Sequence, residues 1–258
     1  MPDPTRSSLK TKLRAGSLTI GSWITLASPE TAEIMARAGF DWLVIDMEHS
    51  VIDVAAAQAI LQATDIHKVP TIVRLTSNNR DLIKRVMDAG ACGVMAPSIN
   101  TVDDAKKLID SVYYPPIGAR GVGLARAQGY GADFAGYRAW LESEAVVIAM
   151  IENIRAVEQA EAILSLDQID GYMIGPYDLS SSMGKPGEFD DPGVSQAIDA
   201  IRKAGEKTGK PGGIHVVDPV LGDLRRRIAE GFKFIGYGMD IRYLDYTCRD
   251  HLSQIRSA

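Results

Sequence analysis

The chain has 258 residues, a length that suits one large α/β domain or two small ones, and its 46% of hydrophobic and 24% of charged residues are typical of a globular protein. The formal net charge of -5 argues against a nucleic-acid or anionic-membrane partner, since both favour a basic surface. The amino terminus lacks the apolar core of a signal peptide and no apolar run could span a membrane, so we expect a cytoplasmic protein with free thiols at Cys92 and Cys248.

Eight short apolar runs predict β-strands. Most of them are continuously apolar rather than alternating, which is the pattern of parallel strands buried on both faces. The runs span residues 18–25, 42–47, 71–75, 93–98, 146–152, 171–175, 212–217 and 233–238.

Segments with helical patterns lie between these runs. The first begins with Ser28 as N-cap and Pro29 at the first helical position, and Gly39 ends it. Further helices are predicted over residues 51–66, 80–90, 101–112, 154–166, 192–209, 219–232 and 241–255. This alternation predicts a single (β/α)8 TIM barrel. An open dinucleotide-binding sheet is disfavoured, because no Gly-x-Gly-x-x-Gly follows the first strand.

Polar side chains cluster where the predicted strands end, which in a barrel is the rim that carries catalytic groups. Each has a structural interpretation. Arg74 could pair with a carboxylate, Glu152 and Asp178 could cap helices, and a lone histidine such as His215 is more often structural. The coincidence on one rim favours a site, to which the strand ends contribute Asp46, Glu48, His49, Arg74, Pro97, Ser98, Glu152, Asp178, His215 and Asp218.

Glu152 and Asp178 follow successive predicted strands, so both carboxylates are expected at one mouth. Two hard oxygen ligands with no soft donor nearby suit Mg²⁺ or Mn²⁺. No lysine stands at the carboxyl end of a predicted strand, which argues against a Schiff-base mechanism. The pair therefore predicts a divalent-metal site.

The second predicted strand ends in groups that suit acid–base chemistry. His49 could act as general base, oriented by Asp46 or Glu48. Arg74 offers a planar fork of donors to an anionic substrate or an enolate oxygen. Residues 175–182 read as a helix start, where backbone N–H groups can bind a carboxylate. Together with the metal, these groups indicate a site that stabilises an enolate.

Five stretches resemble, in order and spacing, the HpcH/HpaI family of class II pyruvate aldolases, which includes 4-hydroxy-2-oxoheptanedioate aldolase, 2-dehydro-3-deoxyglucarate aldolase and macrophomate synthase. The resemblance runs over roughly residues 15–245, and the stretches are AGFDWLVIDMEHS, VRLTSNN, YYPPIGARGVG, IEN and IGPYDLSSSMG. It implies a metal-dependent TIM barrel of the phosphoenolpyruvate/pyruvate-binding type, with Mg²⁺, Mn²⁺ or Co²⁺. It also implies a homo-oligomer, a hexamer built as a trimer of dimers, whose carboxyl-terminal helix at about residues 240–256 is swapped between subunits.

The resemblance assigns roles to individual residues. Glu152 and Asp178 correspond to the metal ligands, and Arg74 to the arginine that contacts pyruvate and steadies the enolate. His49 corresponds to the acid/base, with Asp46 as its dyad partner. The remaining candidates are the pyruvate-carboxylate segment Gly175, Pro176, Tyr177 and Asp178, the neighbour Glu48, an interface acid Asp88, and Arg120.

The implied reaction is reversible aldol cleavage of a 4-hydroxy-2-oxo acid to pyruvate and an aldehyde. Alternatives are an oxaloacetate decarboxylase, a macrophomate-synthase-like lyase and an inactive binding barrel. A phosphosugar isomerase is disfavoured, because no glycine-rich phosphate cradle follows the last two predicted strands. Tyr177 stands where some of these aldolases carry alanine. The segment LARAQGYGADF at 124–134, within the long connection 113–145, and the stretch GIHVVD in the seventh predicted strand also differ from theirs, so the sequence leaves the aldehyde open.

Overall fold

A computed structural model describes the backbone of residues 9–257 and the side chains of residues 9–256. Within these residues the chain forms a closed barrel of eight parallel strands. Each strand pairs with the next along the chain, and the eighth pairs with the first. The strands are β1 Thr19–Ile24, β2 Trp42–Asp46, β3 Thr71–Arg74, β4 Gly93–Ala96, β5 Val146–Ile151, β6 Gly171–Ile174, β7 Gly212–Val216 and β8 Phe234–Met239. The predicted TIM barrel and all eight predicted strands are confirmed.

Twelve α-helices accompany the strands in the described part of the chain, with a short 3-10 helix at Arg126–Gln128. They are α1 Leu9–Arg14, α2 Pro29–Arg37, α3 Val54–Ile66, α4 Arg80–Asp88, α5 Val102–Val112, α6 Phe134–Glu144, α7 Ile154–Val157, α8 Ala160–Leu164, α9 Pro176–Ser182, α10 Pro192–Thr208, α11 Leu221–Ala229 and α12 Asp240–Ser257. The N-caps read from the sequence hold at Ser28, which accepts the Thr31 N–H, and at Thr101, which forms a capping box with Asp104.

The helix predicted over 154–166 is wrong in one respect, since the structure divides it into α7 and α8. Gln159 lies at the break, and its side-chain Oε1 accepts the backbone N–H of Val102 at the start of α5, 3.1 Å away. The break in the helical pattern therefore coincides with a tertiary contact to α5. Two helices, α1 and α6, had no counterpart in the prediction.

Large aromatic rings fill the barrel interior. Trp42 stacks on Phe234 with ring centroids 4.1 Å apart, and Trp23 meets Trp42 edge-on at 5.8 Å. Two glycines make room for the indoles: a Cβ on Gly21 would lie 2.0 Å from Trp42, and one on Gly236 would lie 2.0 Å from Trp23. The interior is therefore packed solid up to the carboxyl ends of the strands, where the polar residues begin.

Both cysteines are free, as predicted. In residues 9–257, the helices are too short or too polar to cross a bilayer.

Candidate active site

An open cavity of about 320 Å³ lies at the carboxyl ends of the strands. Five of its lining residues were named from the sequence as residues of the strand-end rim, namely Glu48, His49, Ser98, Glu152 and Asp178. The full lining is Glu48, His49, Ser98, Glu152, Asn153, Asp178 and Ser182.

Glu152 is the buried acid of the cavity. It directly follows β5, is 7% exposed, and its Oε1 accepts the backbone N–H of Ser98 at 2.7 Å. Ser98 follows β4 in a left-handed conformation, with φ at +55°, and this conformation directs its N–H at the carboxylate. The pKa of Glu152 is raised to about 7, chiefly by burial. The carboxylates of Glu48 and Asp178 contribute to the rise, and the Ser98 hydrogen bond and Arg74 oppose it.

Asp178 reaches the same place from the next strand. It lies in the first turn of α9, which begins at Pro176 directly after Gly175. A Cβ on Gly175 would lie 2.7 Å from Glu152 Oε2 and 3.7 Å from Asp178 Oδ2. Both carboxylates therefore lie close to Gly175, and the absence of a side chain on this residue leaves room for them.

Arg74 is held in plane by Asp46. The register of β2 and β3 places the two residues opposite each other. Arg74 Nε donates to Asp46 Oδ1 at 2.9 Å and Nη2 donates to Oδ2 at 2.6 Å, while Nη1 lies 3.3 Å from Glu48 Oε2. Asp46 takes the Nε–H and one N–H of Nη2, which together form one edge of the guanidinium. Arg74 can therefore offer a ligand only the remaining N–H groups on Nη1 and Nη2.

His49 has an exposed side chain at the cavity rim, with 66% of it open to solvent. Its imidazole Nε2 lies 3.8 Å from Glu48 Oε2. Asp46 contacts His49 differently from the expected dyad, because its Oδ1 accepts the backbone N–H groups of His49 at 3.1 Å and of Glu48 at 3.0 Å. In this structure Asp46 positions Arg74 and the turn, and the carboxylate beside the imidazole is Glu48.

Burial also raises the pKa of Glu48 above its usual range. The neighbouring carboxylates of Asp46 and Asp178 add to the rise, and Arg74 opposes it. Four acidic side chains thus share one rim with the guanidinium of Arg74. The local charge balance favours a cation at the mouth.

Several candidates from the sequence do not line the cavity. Arg74 and Gly175 contact residues that do. Tyr177, Arg120 and Asp88 have other surroundings. Tyr177 is 64% exposed in the first turn of α9, where its ring meets Phe189 edge-on at 4.7 Å. Arg120 is buried, and its Nη2 lies 3.3 Å from Asp88 and donates to the hydroxyl of Tyr137 at 2.8 Å. Asp88 and Arg120 thus form a cluster between α4 and the long connection rather than part of the mouth.

Sequence reasoning missed several residues at the mouth. Asn153 caps α7 and Ser182 Oγ accepts the Ile154 N–H at 2.9 Å, and both line the cavity. Trp23 was also missed, and it lies stacked on His215 near Arg74, with ring centroids 4.1 Å apart. His215 itself was indicated by its place at the end of a predicted strand, but nothing in the sequence indicated the ring it packs against.

The residues at the mouth fit a divalent cation held by two protein ligands. Glu152 and Asp178 supply hard oxygen donors, as Mg²⁺ and Mn²⁺ prefer. A bound cation would offset the burial, and the neighbouring carboxylates, that raise the pKa of Glu152. Among the described side chains, no group of three or more His, Cys, Asp or Glu forms a complete ligand set. Water and substrate oxygens would have to complete the coordination.

Comparisons with known proteins agree with this architecture. The family described as HpcH/HpaI aldolase/citrate lyase matches residues 19–245. The chain is 40% identical to the hydroxypyruvate/pyruvate aldolase of Sagittula stellata, covering 92% of this chain and 93% of that protein. It is 36% identical to the 2-keto-3-deoxy-L-rhamnonate aldolase of Klebsiella pneumoniae, covering 96% and 92% respectively.

A solved structure has the same fold throughout. It is that of a HpcH/HpaI aldolase/citrate lyase family protein from Burkholderia cenocepacia, with a TM-score of 0.91 and 32% sequence identity. The superposition covers 97% of this chain and 100% of that one.

Proposed function

The chain belongs to the HpcH/HpaI aldolase/citrate lyase family, and from this premise we propose that it is a cytoplasmic class II aldolase. It cleaves a 4-hydroxy-2-oxo acid to pyruvate and an aldehyde, and it catalyses the reverse addition. Aldolase-named relatives that match over most of the chain support this reaction class. The observation that carries it is the pair of carboxylates converging over Gly175 next to Glu48 and Arg74.

Glu152 and Asp178 would hold the divalent cation, with Mg²⁺ or Mn²⁺ as first choices and Co²⁺ as a further one. When bound, the cation supplies Lewis-acid polarisation of the 2-oxo group. Glu152 is fixed for this role by the Ser98 N–H, and Asp178 by the first turn of α9. Their negative charges also draw the cation to this rim.

His49 is the acid/base in this proposal. In cleavage its imidazole accepts the proton of the C4 hydroxyl, and the C3–C4 electron pair moves toward the 2-oxo carbon to give the pyruvate enolate and an aldehyde. Glu48 is the carboxylate beside this imidazole, with its Oε2 3.8 Å from Nε2. Return of a proton to C3 then gives the methyl group of pyruvate.

Arg74 stabilises the enolate oxygen through its Nη groups, since Asp46 holds the Nε edge. The pyruvate carboxylate lies against the segment Gly175, Pro176, Tyr177 and Asp178. The backbone N–H groups of Tyr177 and Asp178 belong to the first turn of α9, where helical partners are missing and an anion can accept them.

The test is deuterium uptake into the methyl group of pyruvate, followed by NMR in ²H₂O. We expect exchange with Mg²⁺ or Mn²⁺, and its loss when the metal is stripped with a chelator and the protein dialysed. Exchange that persists in the metal-free protein would remove the metal from the proposal. No exchange under any of these conditions would leave the inactive binding barrel as the better description.

We also propose that the chain assembles through α12. This helix carries exposed apolar side chains, namely Ile241, Leu244, Tyr246, Leu252 and Ile255. An apolar stripe of this kind on a terminal helix favours burial against another copy, as in a swapped helix of a hexameric assembly. Light scattering should give an oligomer for the native chain and a smaller species for Leu252→Glu with Ile255→Glu. A monomeric native chain would contradict the proposal.

A further inference from the structure

Two stacked rings lie beneath the arginine of the mouth. The guanidinium carbon of Arg74 is 6.0 Å from the centroid of the Trp23 ring. The imidazole of His215 lies parallel to Trp23, with centroids 4.1 Å apart and an interplanar angle of 10°. Arg74, Trp23 and His215 come from β3, β1 and β7, so the barrel itself brings them together.

His215 is fixed at its far edge. Its Nε2 lies 3.0 Å from the carbonyl oxygen of Gly238, which accepts a hydrogen bond, so Nε2 carries the proton. Burial lowers the pKa of His215 to about 4, and the charge of Arg74 acts in the same direction. Near neutral pH the imidazole of His215 is therefore uncharged and held by its hydrogen bond to Gly238.

Trp23 is fixed on its other sides. It meets Trp42 edge-on at 5.8 Å, and it fills the space over Gly236, where a Cβ would lie 2.0 Å from the indole. One broad face of the indole is covered by the His215 ring, and a substitution at position 215 would uncover that face. Loss of the His215 imidazole would let the Trp23 indole tilt away from its present position.

Arg74 is held within its own plane by the two hydrogen bonds to Asp46. Those bonds do not restrain a tilt of the guanidinium out of that plane, which is the motion that contact with an aromatic ring can limit. We propose that His215 is a positioning residue for the reaction: through Trp23 it sets the height and tilt of the Arg74 guanidinium at the mouth. The inference rests on the proposed role of Arg74 at the enolate.

An uncharged aromatic ring is what this position requires. A cation at position 215 would repel Arg74, and a carboxylate would compete with Asp46 for it. An aliphatic side chain has no flat face for the indole. Phenylalanine keeps the flat face, and the Gly238 carbonyl would retain the hydroxyl of Ser22 as a donor at 3.2 Å.

The experiment compares three variants in the pyruvate deuterium-exchange assay with Mg²⁺ or Mn²⁺. We expect His215→Leu to lower the exchange kcat at least about tenfold with KM for pyruvate changed less than about threefold, because a displaced Arg74 fails mainly in the transition state. His215→Phe should recover most of the rate. His67→Leu makes the same change at a histidine that ends α3, before the amino-terminal end of β3 and so away from the mouth, and should match the native protein.

A double-mutant cycle with Arg74→Lys separates positioning from a general structural role. If His215 acts through Arg74, His215→Leu should cost little further rate in the Arg74→Lys background. Equal losses in both backgrounds would overturn the inference, as would native kinetics in His215→Leu. If His215→Leu does not fold, His215→Gln removes the ring and keeps a donor for Gly238, and native kinetics there would overturn it equally. Absence of exchange in the native chain would instead overturn the proposed function, and the inference with it.

Discussion

The two ends of the barrel both bury charge, and they balance it in opposite ways. At the amino-terminal end, Lys10 of α1 lies 3.3 Å from Asp170 and donates to the Ala145 carbonyl at 2.7 Å. Asp170 also accepts the Val147 N–H at 3.0 Å. At the carboxyl-terminal end, Glu152 accepts the Ser98 N–H and is otherwise surrounded by acids that raise its pKa.

The difference separates stability from function. At the amino-terminal end, the buried carboxylate of Asp170 lies beside the ammonium group of Lys10, so folding itself pairs the two charges. At the carboxyl-terminal end, Asp46 and Glu48 contact the guanidinium of Arg74, and the pKa of the buried Glu152 is raised. The proposed metal ion would supply further compensation there. Changes at the mouth should therefore affect the reaction, and changes at the opposite end should affect unfolding.

The largest expected effect is that of Glu152→Gln. The amide keeps the size of the side chain and removes a charged metal ligand, so metal-dependent exchange should fall at least about 10³-fold. The midpoint of thermal unfolding should stay constant or rise, because one member of a crowded set of acids is gone. Glu142→Gln on the exposed face of α6 is the matched control. If Glu152→Gln lost activity only because it unfolds, this would contradict the claim that changes at the mouth affect the reaction rather than the stability.

Lys10→Met tests the opposite end. It leaves the buried Asp170 without its main cation, and the free energy of unfolding in urea should fall by about 3–5 kcal/mol. The exchange kcat should remain within about twofold of the native value at a temperature where the variant is folded. Lys10→Met with Asp170→Asn should regain part of the stability. A large change in kcat would mean that this end is coupled to the reaction.

Arg74→Lys asks whether charge alone suffices at the mouth. Lysine keeps the positive charge and loses the planar fork that Asp46 orients, so kcat should fall about 10²-fold. Arg126→Lys is a control at an arginine that pairs with Asp65 away from the cavity. Near-native turnover in Arg74→Lys would assign Arg74 a structural role.

The smallest expected effect is a pH dependence of stability from His215. Its pKa is lowered to about 4 in the folded protein from an ordinary 6.5, so the unfolded chain takes up the proton first as the pH falls. Folding stability from this residue is complete above pH 6.5 and should decrease by about 2 kcal/mol between pH 7 and pH 5. The measurement is the difference between native and His215→Phe urea curves across this range. Parallel curves would contradict the lowered pKa.

Much of the fold was readable from local patterns. The eight continuous apolar runs predicted the strands because parallel strands buried on both faces need such runs, and the caps at Ser28 and Thr101 marked helix starts. The two missed helices gave weaker signals, although Asp133 caps α6. α1 is only six residues long, and α6 lies within a connection rich in glycine.

The candidate site was predictable in its membership and less so in its contacts. Glu48, His49, Glu152 and Asp178 line one cavity because residues that end parallel strands share a rim. The partner of Asp46 was not predictable: its carboxylate holds Arg74, a residue 28 positions away, while Glu48 is the acid near the imidazole. The catalytic roles of these residues stay predictions until the variants are measured.

The amino-acid sequence by itself therefore determined the alternation of strands and helices and the rim on which the polar residues fall, because periodicity and strand ends are local properties. Only the tertiary structure decided which groups touch. The pairing of Asp46 with Arg74 depends on strand register, and the aim of the Ser98 N–H at Glu152, 54 positions away, depends on a left-handed loop residue. The stack of His215 on Trp23 requires closure of the barrel, since only closure brings β7 and β1 to the same side of the mouth.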